Sequence, residues 1–340
     1  MAPQSAICSQ PNALGSMAAI IMPAVPDLLL LSRADVESLL DLDLLLDSLA
    51  VAFQDLSAGK VSVPPRSAAV VPGRGLLGVM PGYLPSAGLE VKLVSVFPAN
   101  HDRGLPSHQA LIALFDPETG TPLALMDGTH ITAIRTAAAA GLATRVLANE
   151  DAVTVAILGA GVQGRAHLQV LPRVRSFRAI RIASRDPQHA QALAAGHPNA
   201  TPAESFEEAV RGADVVCLCT HSAQPITRRE WFQPGVHVNS VGSNPEGPEL
   251  DGETVAAARL VVESRVAFQP PPAGAAELRG LDPNRAAELG EVLLGTRPGR
   301  QGRDEITVYK SMGHAVEDAA AAGLVHDLAR ARGVGQLVSI

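Results

Sequence analysis

Apolar positions recur at helical spacing between Ser32 and Gly59, in a segment that begins with a good N-cap residue and ends with a glycine. This pattern predicts one long helix or two short ones. From residue 60 to 122 the apolar runs shorten and are divided by proline and glycine, as in "VPGRG" and "MPGY", which is typical of an antiparallel sheet. The run "TAIRTAAAAGLATRVLA" then predicts an alanine-rich helix that can pack closely against another helix or a cofactor.

A second pattern begins at Val153. Continuous apolar strands such as "VTVAILG" and "DVVCLCT" alternate with helical segments, as expected where helices cover both faces of a parallel sheet. We therefore expect a Rossmann-type dinucleotide-binding domain over residues 151–302. The final strand and helix exceed what such a unit needs, so residues 303–340 are expected to return to a first domain at 27–150. Residues 1–26 are expected to form a disordered extension.

Composition excludes several classes of function. The 27 basic and 34 acidic residues give a net charge of −7, and aromatic residues are only 3%, which argues against binding nucleic acid or anionic membranes. No apolar run reaches the roughly 18 residues of a membrane helix, and no signal peptide is evident, so a cytoplasmic protein is expected. Three cysteines exclude a disulfide-based fold, and scattered histidines predict no metal site.

The segment "VAILGAGVQGRAHL" places three glycines between a buried strand and a helix. Gly159 permits the tight turn, Gly161 lets the backbone approach a pyrophosphate, and Gly164 lets helix and strand touch. The helix N-terminus offers unpaired N–H groups to the phosphates. This context favours a dinucleotide site over a simple glycine-rich turn.

The residues after the second strand of this unit bear on the choice of cofactor. An acidic residue there would bind the adenosine ribose of NAD and repel a 2′-phosphate. The sequence instead has Ser184 and Arg185, a pair suited to a phosphate, followed by Asp186. NADP(H) is therefore favoured and NAD(H) stays possible, since Arg185 could be an ordinary solvated side chain.

Three cations lie in apolar surroundings. Lys92 lies in the predicted strand "LEVKLVSVF" on the same face as Val94 and Val96, Arg66 lies in "VPPRSAAVV", and Arg135 lies in the alanine-rich helix. A buried cation is unfavourable by several kcal/mol unless it is paired, and few carboxylates are near in sequence. One anionic ligand would neutralise the charges of all three cations. Taken singly, each cation could instead lie at the surface or form an ion pair.

These motifs, with "GADVVCLCT", "PGVHVNSVGSNPEGPELD" and "TVYKSMGHAVEDAAAA" in the same order, resemble the ornithine cyclodeaminase and mu-crystallin family from about Leu31 to the C-terminus. The resemblance implies a Rossmann-type doubly wound parallel sheet inserted into a split α+β domain that binds substrate and forms a homodimer. Arg66, Lys92 and Arg135 match the family's carboxylate-binding cations. The cofactor contacts implied by the resemblance are Thr136, Val162, Gln163, Thr220, Val241, Ser243, Ser311, Met312 and Gly313.

One position departs from the cyclodeaminases. Asn244 stands where their motif ends in an aspartate that serves acid/base chemistry, and an amide cannot take a proton at neutral pH. The favoured function is therefore NAD(P)H-dependent reduction of a small carboxylate-bearing imine, such as Δ1-pyrroline-2-carboxylate or Δ1-piperideine-2-carboxylate, or the related amino acid dehydrogenation. In this reaction Lys92 would activate the C=N carbon. The alternatives are a true ornithine cyclodeaminase and a cofactor-dependent small-ligand binding protein.

Overall fold

The computed structural model describes residues 27–271 and 273–339, so the predicted extension at 1–26 lies outside the described residues. Two sheets and a set of packed helices make up the described chain. The helices are α1 (Arg33–Leu39), α2 (Leu42–Ser57), α3 (Gly128–Leu147), α4 (Val162–Val174), α5 (Pro187–Ala194), α6 (Phe206–Val210), α7 (Gly252–Ala257), α8 (Leu289–Leu293) and α9 (Ala315–Arg332).

The first sheet has seven strands in the order β15-β1-β6-β5-β4-β3-β2. Its strands are β1 (Leu28–Leu31), β2 (Ser67–Val71), β3 (Gly75–Leu84), β4 (Gly88–Val96), β5 (His108–Phe115), β6 (Pro122–Asp127) and β15 (Gln336–Val338). Strands β2 to β6 form an antiparallel meander, which confirms the sheet predicted for residues 60–122. Strand β1 pairs parallel to β6, and its unbroken leucine run gave no alternation from which to predict it.

The first helical segment is two helices. The Ser32 side chain caps α1 in a capping box with Asp35. The Asp41 carboxylate accepts hydrogen bonds from the N–H groups of Asp43 and Leu44 and so begins α2. Gly59, at φ +70°, lies just beyond the last turn, where a left-handed residue ends the segment.

The second sheet is parallel throughout and has eight strands in the order β13-β12-β14-β11-β10-β7-β8-β9. Its strands are β7 (Thr154–Leu158), β8 (Ala179–Ala183), β9 (Ala200–Pro202), β10 (Val215–Leu218), β11 (His237–Ser240), β12 (Arg259–Val262), β13 (Ala287–Glu288) and β14 (Thr307–Lys310). The predicted Rossmann-type arrangement is confirmed.

One predicted boundary is wrong. Strand β14 lies between β11 and β12 in the parallel sheet, so residues 303–340 do not return to the first domain as a whole. Its four residues are buried, and they pair with β11 on one side and β12 on the other. Helix α9, which follows directly, does pack against β3, β4 and β5 of the first sheet. The chain therefore crosses between the two sheets at residues 311–314.

Helices α3 and α9 pack against each other and against the inner face of the first sheet. Both are rich in alanine, and every α3 residue from Ile134 to Thr144 is buried. Small side chains let the helices approach closely, so the few charged residues they carry are enclosed. Among the described residues, no helix combines the length and apolar character needed to cross a membrane.

Candidate active site

The glycine turn has the shape required for a bound phosphate. Gly159 has φ +110°, and a Cβ on Gly164 would lie 1.9 Å from the Gly159 carbonyl oxygen, so both positions require glycine. A Cβ on Gly161 would meet nothing within 4 Å, and no side chain caps the N-terminus of α4 there. The first N–H groups of this helix, from Val162 and Gln163 onward, thus face open space and fit a dinucleotide pyrophosphate.

The other predicted cofactor residues lie at the same edge of the sheet. They follow β10, β11 and β14, and the carboxyl ends of neighbouring parallel strands meet at one edge. These residues are Thr220 after β10, Val241 and Ser243 after β11, and Ser311, Met312 and Gly313 after β14. Thr136 lies on α3, where its hydroxyl donates to the Thr132 carbonyl oxygen at 2.8 Å.

Two buried charged side chains that sequence reasoning missed hold these loops together. The Glu249 carboxylate accepts from the Thr220 hydroxyl at 2.9 Å, the Ser240 hydroxyl at 2.9 Å and the Gly242 N–H at 2.7 Å. The Lys310 ammonium donates to the Gly242 carbonyl oxygen at 2.6 Å and to the Ser240 hydroxyl at 3.1 Å. Because each charge binds several groups at once, the loops after β10 and β11 are held in one arrangement.

A buried charge cluster lies between the first sheet and α9, consisting of Lys92, Arg135, Glu317 and Asp318. Lys92 Nζ is 2.6 Å from Asp318 Oδ2, and Arg135 Nε is 2.9 Å from Asp318 Oδ1. Arg135 also donates to Glu317 Oε2 at 2.9 Å. All four side chains are at most 4% exposed, so these ion pairs are shielded from solvent.

These contacts correct part of the sequence argument. Few carboxylates lie near Lys92 and Arg135 in sequence, but Asp318 and Glu317 of α9 pair with them from more than 180 residues away, so the ion-pair alternative holds for these two cations. The available signal was the pair "ED" in the otherwise apolar run "HAVEDAAAAGL". Two adjacent carboxylates in such a helix require buried cationic partners.

Burial and charge act against each other in this cluster. Although burial opposes ionisation, Arg135 and Lys92 hold the pKa of Asp318 below its usual value. Burial raises the pKa of Glu317 to about 7, and burial lowers the pKa of Lys92. Despite burial, Asp318 and Glu317 raise the pKa of Arg135 above its usual value. The cluster thus contains a firmly ionised pair, Arg135 and Asp318, beside groups that can change protonation.

Gly313 connects the buried charge cluster to the edge of the parallel sheet at which the predicted cofactor residues lie. Its carbonyl oxygen accepts a hydrogen bond from Arg66 at 3.0 Å. A Cβ on Gly313 would lie 2.8 Å from a terminal nitrogen of Arg135, and its φ of +74° also favours glycine. Arg66, Arg135 and, through Asp318, Lys92 are therefore gathered around the segment that follows β14. Arg66 is exposed, whereas the other two cations are buried.

The remaining predicted residues occupy separate positions. Ser184 and Arg185 follow β8, next to the glycine turn after β7, and Arg185 is exposed. Asn244 is half-buried in a turn, where its amide nitrogen donates to the His221 carbonyl oxygen at 3.0 Å and its amide oxygen accepts from the Glu246 N–H at 2.9 Å. Within residues 27–271 and 273–339, no three metal-ligating side chains form a group that could hold an ion.

The sequence profile of the ornithine cyclodeaminase/mu-crystallin family matches residues 27–333. The chain belongs to this family. Mouse (Mus musculus) ketimine reductase mu-crystallin is 40% identical over 291 residues, which are 84% of this chain and 91% of the mouse protein. The family membership confirms the resemblance drawn from the motif order.

Solved structures of family relatives agree with the fold. The Thermococcus litoralis Δ1-pyrroline-2-carboxylate reductase, in complex with NADH and L-proline, is 38% identical and superposes with a TM-score of 0.86 over 92% of this chain and 100% of that one. An archaeal alanine dehydrogenase dimer with bound NAD is 31% identical, with a TM-score of 0.82 over 92% of this chain and 99% of that one. A nicotinamide cofactor thus accompanies this fold in both relatives.

Proposed function

We propose that this family member is an NAD(P)H-dependent reductase of small imines that carry a carboxylate, such as Δ1-pyrroline-2-carboxylate or Δ1-piperideine-2-carboxylate. The observation that carries the proposal is the position of Gly313. It follows β14, at the edge of the parallel sheet where the predicted cofactor residues lie. Its carbonyl oxygen accepts a hydrogen bond from Arg66, and a Cβ at this position would lie 2.8 Å from a terminal nitrogen of Arg135. A substrate held by its carboxylate at these cations would lie beside this edge of the sheet.

The side chains of the cluster suit this role chemically. Lys92 has three N–H donors, and among the described residues Asp318 is the partner of its ammonium. Arg135 likewise uses part of its five-donor fork on Asp318 and Glu317. The remaining donors can bind a substrate carboxylate and orient the adjacent C=N carbon, whose electrophilicity the ammonium charge raises. A bound nicotinamide would supply the hydride.

The contacts of Asn244 favour a reductase over a cyclodeaminase. Its amide nitrogen donates to the His221 carbonyl oxygen and its amide oxygen accepts from the Glu246 N–H, and an amide cannot exchange protons with a substrate amine. A cyclodeaminase needs such an exchange, since it must expel ammonia from the amino acid that it first oxidises. Imine reduction expels no group and needs only one proton on the nitrogen, which the substrate can take up from water as an iminium ion before the hydride reaches its carbon.

Purified protein distinguishes the candidate functions. Loss of reduced-nicotinamide absorbance with either cyclic imine supports the reductase. Ammonia and proline formed from ornithine without added reductant would overturn it in favour of a cyclodeaminase. Binding of the imines without oxidation of the cofactor would instead indicate a ligand-binding protein.

We further propose that NADP(H) is the preferred cofactor. Asp186 could repel a 2′-phosphate, but its carboxylate caps α5 by accepting from the Gln188 N–H at 2.9 Å, so the N-terminus of that helix offsets part of its negative charge. Arg185 is exposed beside the glycine turn, where its guanidinium can reach a phosphate.

Replacing Arg185 by Ala is expected to raise KM for NADPH about tenfold, because a charge-assisted hydrogen bond is lost. KM for NADH should stay unchanged and is the internal control. Equal effects on both cofactors would show that Arg185 does not recognise the 2′-phosphate.

We also propose a homodimer formed through the outer face of the first sheet. Helices α3 and α9 cover the inner face, whereas Leu77, Leu89, Leu93 and Leu111 on the outer face are 36–48% exposed. An apolar sheet face of this kind is typical of an interface that a second copy covers.

The Leu93→Glu variant is expected to run as a monomer in size-exclusion chromatography with light scattering, whereas the wild type should have twice the 35.2 kDa of one chain. A charge at the centre of an apolar interface lacks a partner. The matched control is Leu44→Glu, since Leu44 is similarly exposed, at 46%, but lies on α2. A dimeric Leu93→Glu protein would exclude this face as the interface.

A further inference from the structure

Glu90 is a buried carboxyl group that the mechanism above does not use. It precedes Lys92 by two residues on β4, so both side chains lie on the inner face of the first sheet. Only 1% of its surface is exposed, and neither carboxyl oxygen has a hydrogen-bond partner among the described residues. An ionised carboxylate is strongly unfavourable in such a place, because nothing replaces the water it has lost.

The position of Glu90 brings it close to the buried charge cluster. It pairs across the sheet with Gly82 on β3 and Leu114 on β5, neither of which is charged. A Cβ on Gly82 would lie 3.3 Å from Glu90 Oε1 and 3.2 Å from Ala315 Cβ, so the carboxyl group lies beside the first turn of α9. The titratable and charged groups on the elements around it are Lys92 on β4, Arg135 on α3, His314 at the N-cap of α9, Glu317 and Asp318 on α9, and Arg66 before β2.

The charges of the cluster make an ionised Glu90 unfavourable. Lys92 and Arg135 carry two positive charges, and Asp318 and Glu317 can carry two negative ones. A further negative charge at Glu90 would make the buried groups net negative at the place where a substrate carboxylate must bind. Burial raises the pKa of Glu90 to about 9, and repulsion from Asp318 adds to this shift.

We propose that Glu90 is a positioning residue that works as an uncharged carboxylic acid, keeping Lys92 and Arg135 able to bind the substrate carboxylate. It acts through the Lys92–Asp318 pair and does not touch the reacting atoms. The inference rests on the proposed function, because it assumes a substrate with an acid group. Its consequence is a loss of substrate affinity in alkaline solution, when Glu90 loses its proton.

Kinetics of the wild type and the Glu90→Gln variant test this consequence. The amide has the shape of the neutral acid and cannot ionise. For Δ1-pyrroline-2-carboxylate, wild-type KM should rise about tenfold as the pH passes 9, because Glu90 then adds a negative charge to the cluster that is proposed to bind the substrate carboxylate. KM of the cofactor should stay constant. The variant should keep its low substrate KM over the same pH range.

The same comparison distinguishes loss of a proton by Glu90 from loss of a proton by Lys92. Loss of the Lys92 proton would also weaken carboxylate binding. Burial lowers the pKa of Lys92, whereas the negative charge of Glu90 raises it. If Lys92 caused the alkaline loss, Glu90→Gln would leave the loss in place or move it to lower pH. That result would overturn the inference.

Infrared difference spectroscopy between wild type and variant gives a readout that does not require activity. At neutral pH the wild type should show a carboxylic acid C=O band that is absent from Glu90→Gln, and Glu90→Leu serves as a second variant lacking the acid. Asp116→Asn is the control, since hydrogen bonds from Thr119 hold the pKa of that carboxyl group below its usual value and it should contribute no acid band. Absence of the Glu90 band would overturn the inference. A band present in a protein that reduces no carboxylated imine would refute the proposed function alone.

Discussion

Substitution of Asp318 by Asn is expected to lower the free energy of unfolding by about 3 to 5 kcal/mol, the range found when one partner of a buried ion pair is removed. Asp318 accepts from Lys92 at 2.6 Å and from Arg135 at 2.9 Å, and it is fully buried. In the variant Arg135 keeps Glu317, but Lys92 is left as a buried cation without its carboxylate. Denaturant unfolding at neutral pH measures the difference.

The pH dependence of this loss follows from the direction of the pKa shift. Burial opposes ionisation, but Arg135 and Lys92 hold the pKa of Asp318 below its usual value. The stabilisation is therefore fully present above the pKa of an unfolded aspartate and is lost as the pH falls through the lower folded-state pKa. The difference in the free energy of unfolding between wild type and variant should accordingly become smaller in strong acid.

Asp327→Asn is the matched control for this experiment. Asp327 lies on the same helix with a side chain that is 81% exposed, so its replacement should change stability by less than about 0.5 kcal/mol. Equal stability of the Asp318→Asn and Asp327→Asn variants would show that the buried pairs do not stabilise the fold.

Replacement of Lys92 by Met is expected to lower kcat/KM for a carboxylated cyclic imine by about a thousandfold, because a charge that both orients the carboxylate and stabilises the transition state is removed. Cofactor binding should be unchanged, since the glycine turn lies in the other sheet. The methionine retains most of the apolar stem, so packing on the inner face is preserved. Steady-state kinetics measure kcat/KM, and fluorescence titration measures the affinity for the cofactor.

Lys60→Met is the control for this variant. Lys60 forms an exposed ion pair with Asp55, a kind of contact that contributes little. Full activity in Lys92→Met would mean that Lys92 serves only the structure of the sheet.

The parts of the site predictable from sequence are those formed by local chain geometry. The turn from Gly159 to Gly164 could be predicted because its three glycines serve one strand, one turn and one helix within six residues. The face of the sheet on which the Lys92 side chain lies could be predicted in the same way, from the two-residue period of a strand.

The parts that could not be predicted depend on contacts between distant segments. The Lys92–Asp318 pair joins residues 226 positions apart, so no local pattern reveals it. The position of β14 in the parallel sheet could not be predicted, because its four residues, "TVYK", contain no information about which neighbours they pair with. The network around Glu249 and Lys310 could not be predicted for the same reason, since its members lie at or beyond the ends of three different strands, β10, β11 and β14.

A crystal structure of the protein with oxidised cofactor and L-proline, the amino acid product expected from Δ1-pyrroline-2-carboxylate, tests the central claim most directly. The account predicts that the ligand carboxylate lies within about 3 Å of side-chain nitrogens from at least two of Arg66, Lys92 and Arg135, next to Gly313. A ligand whose carboxylate lies away from these residues, with Lys92 and Arg135 bound to Asp318 and Glu317 alone, would contradict it.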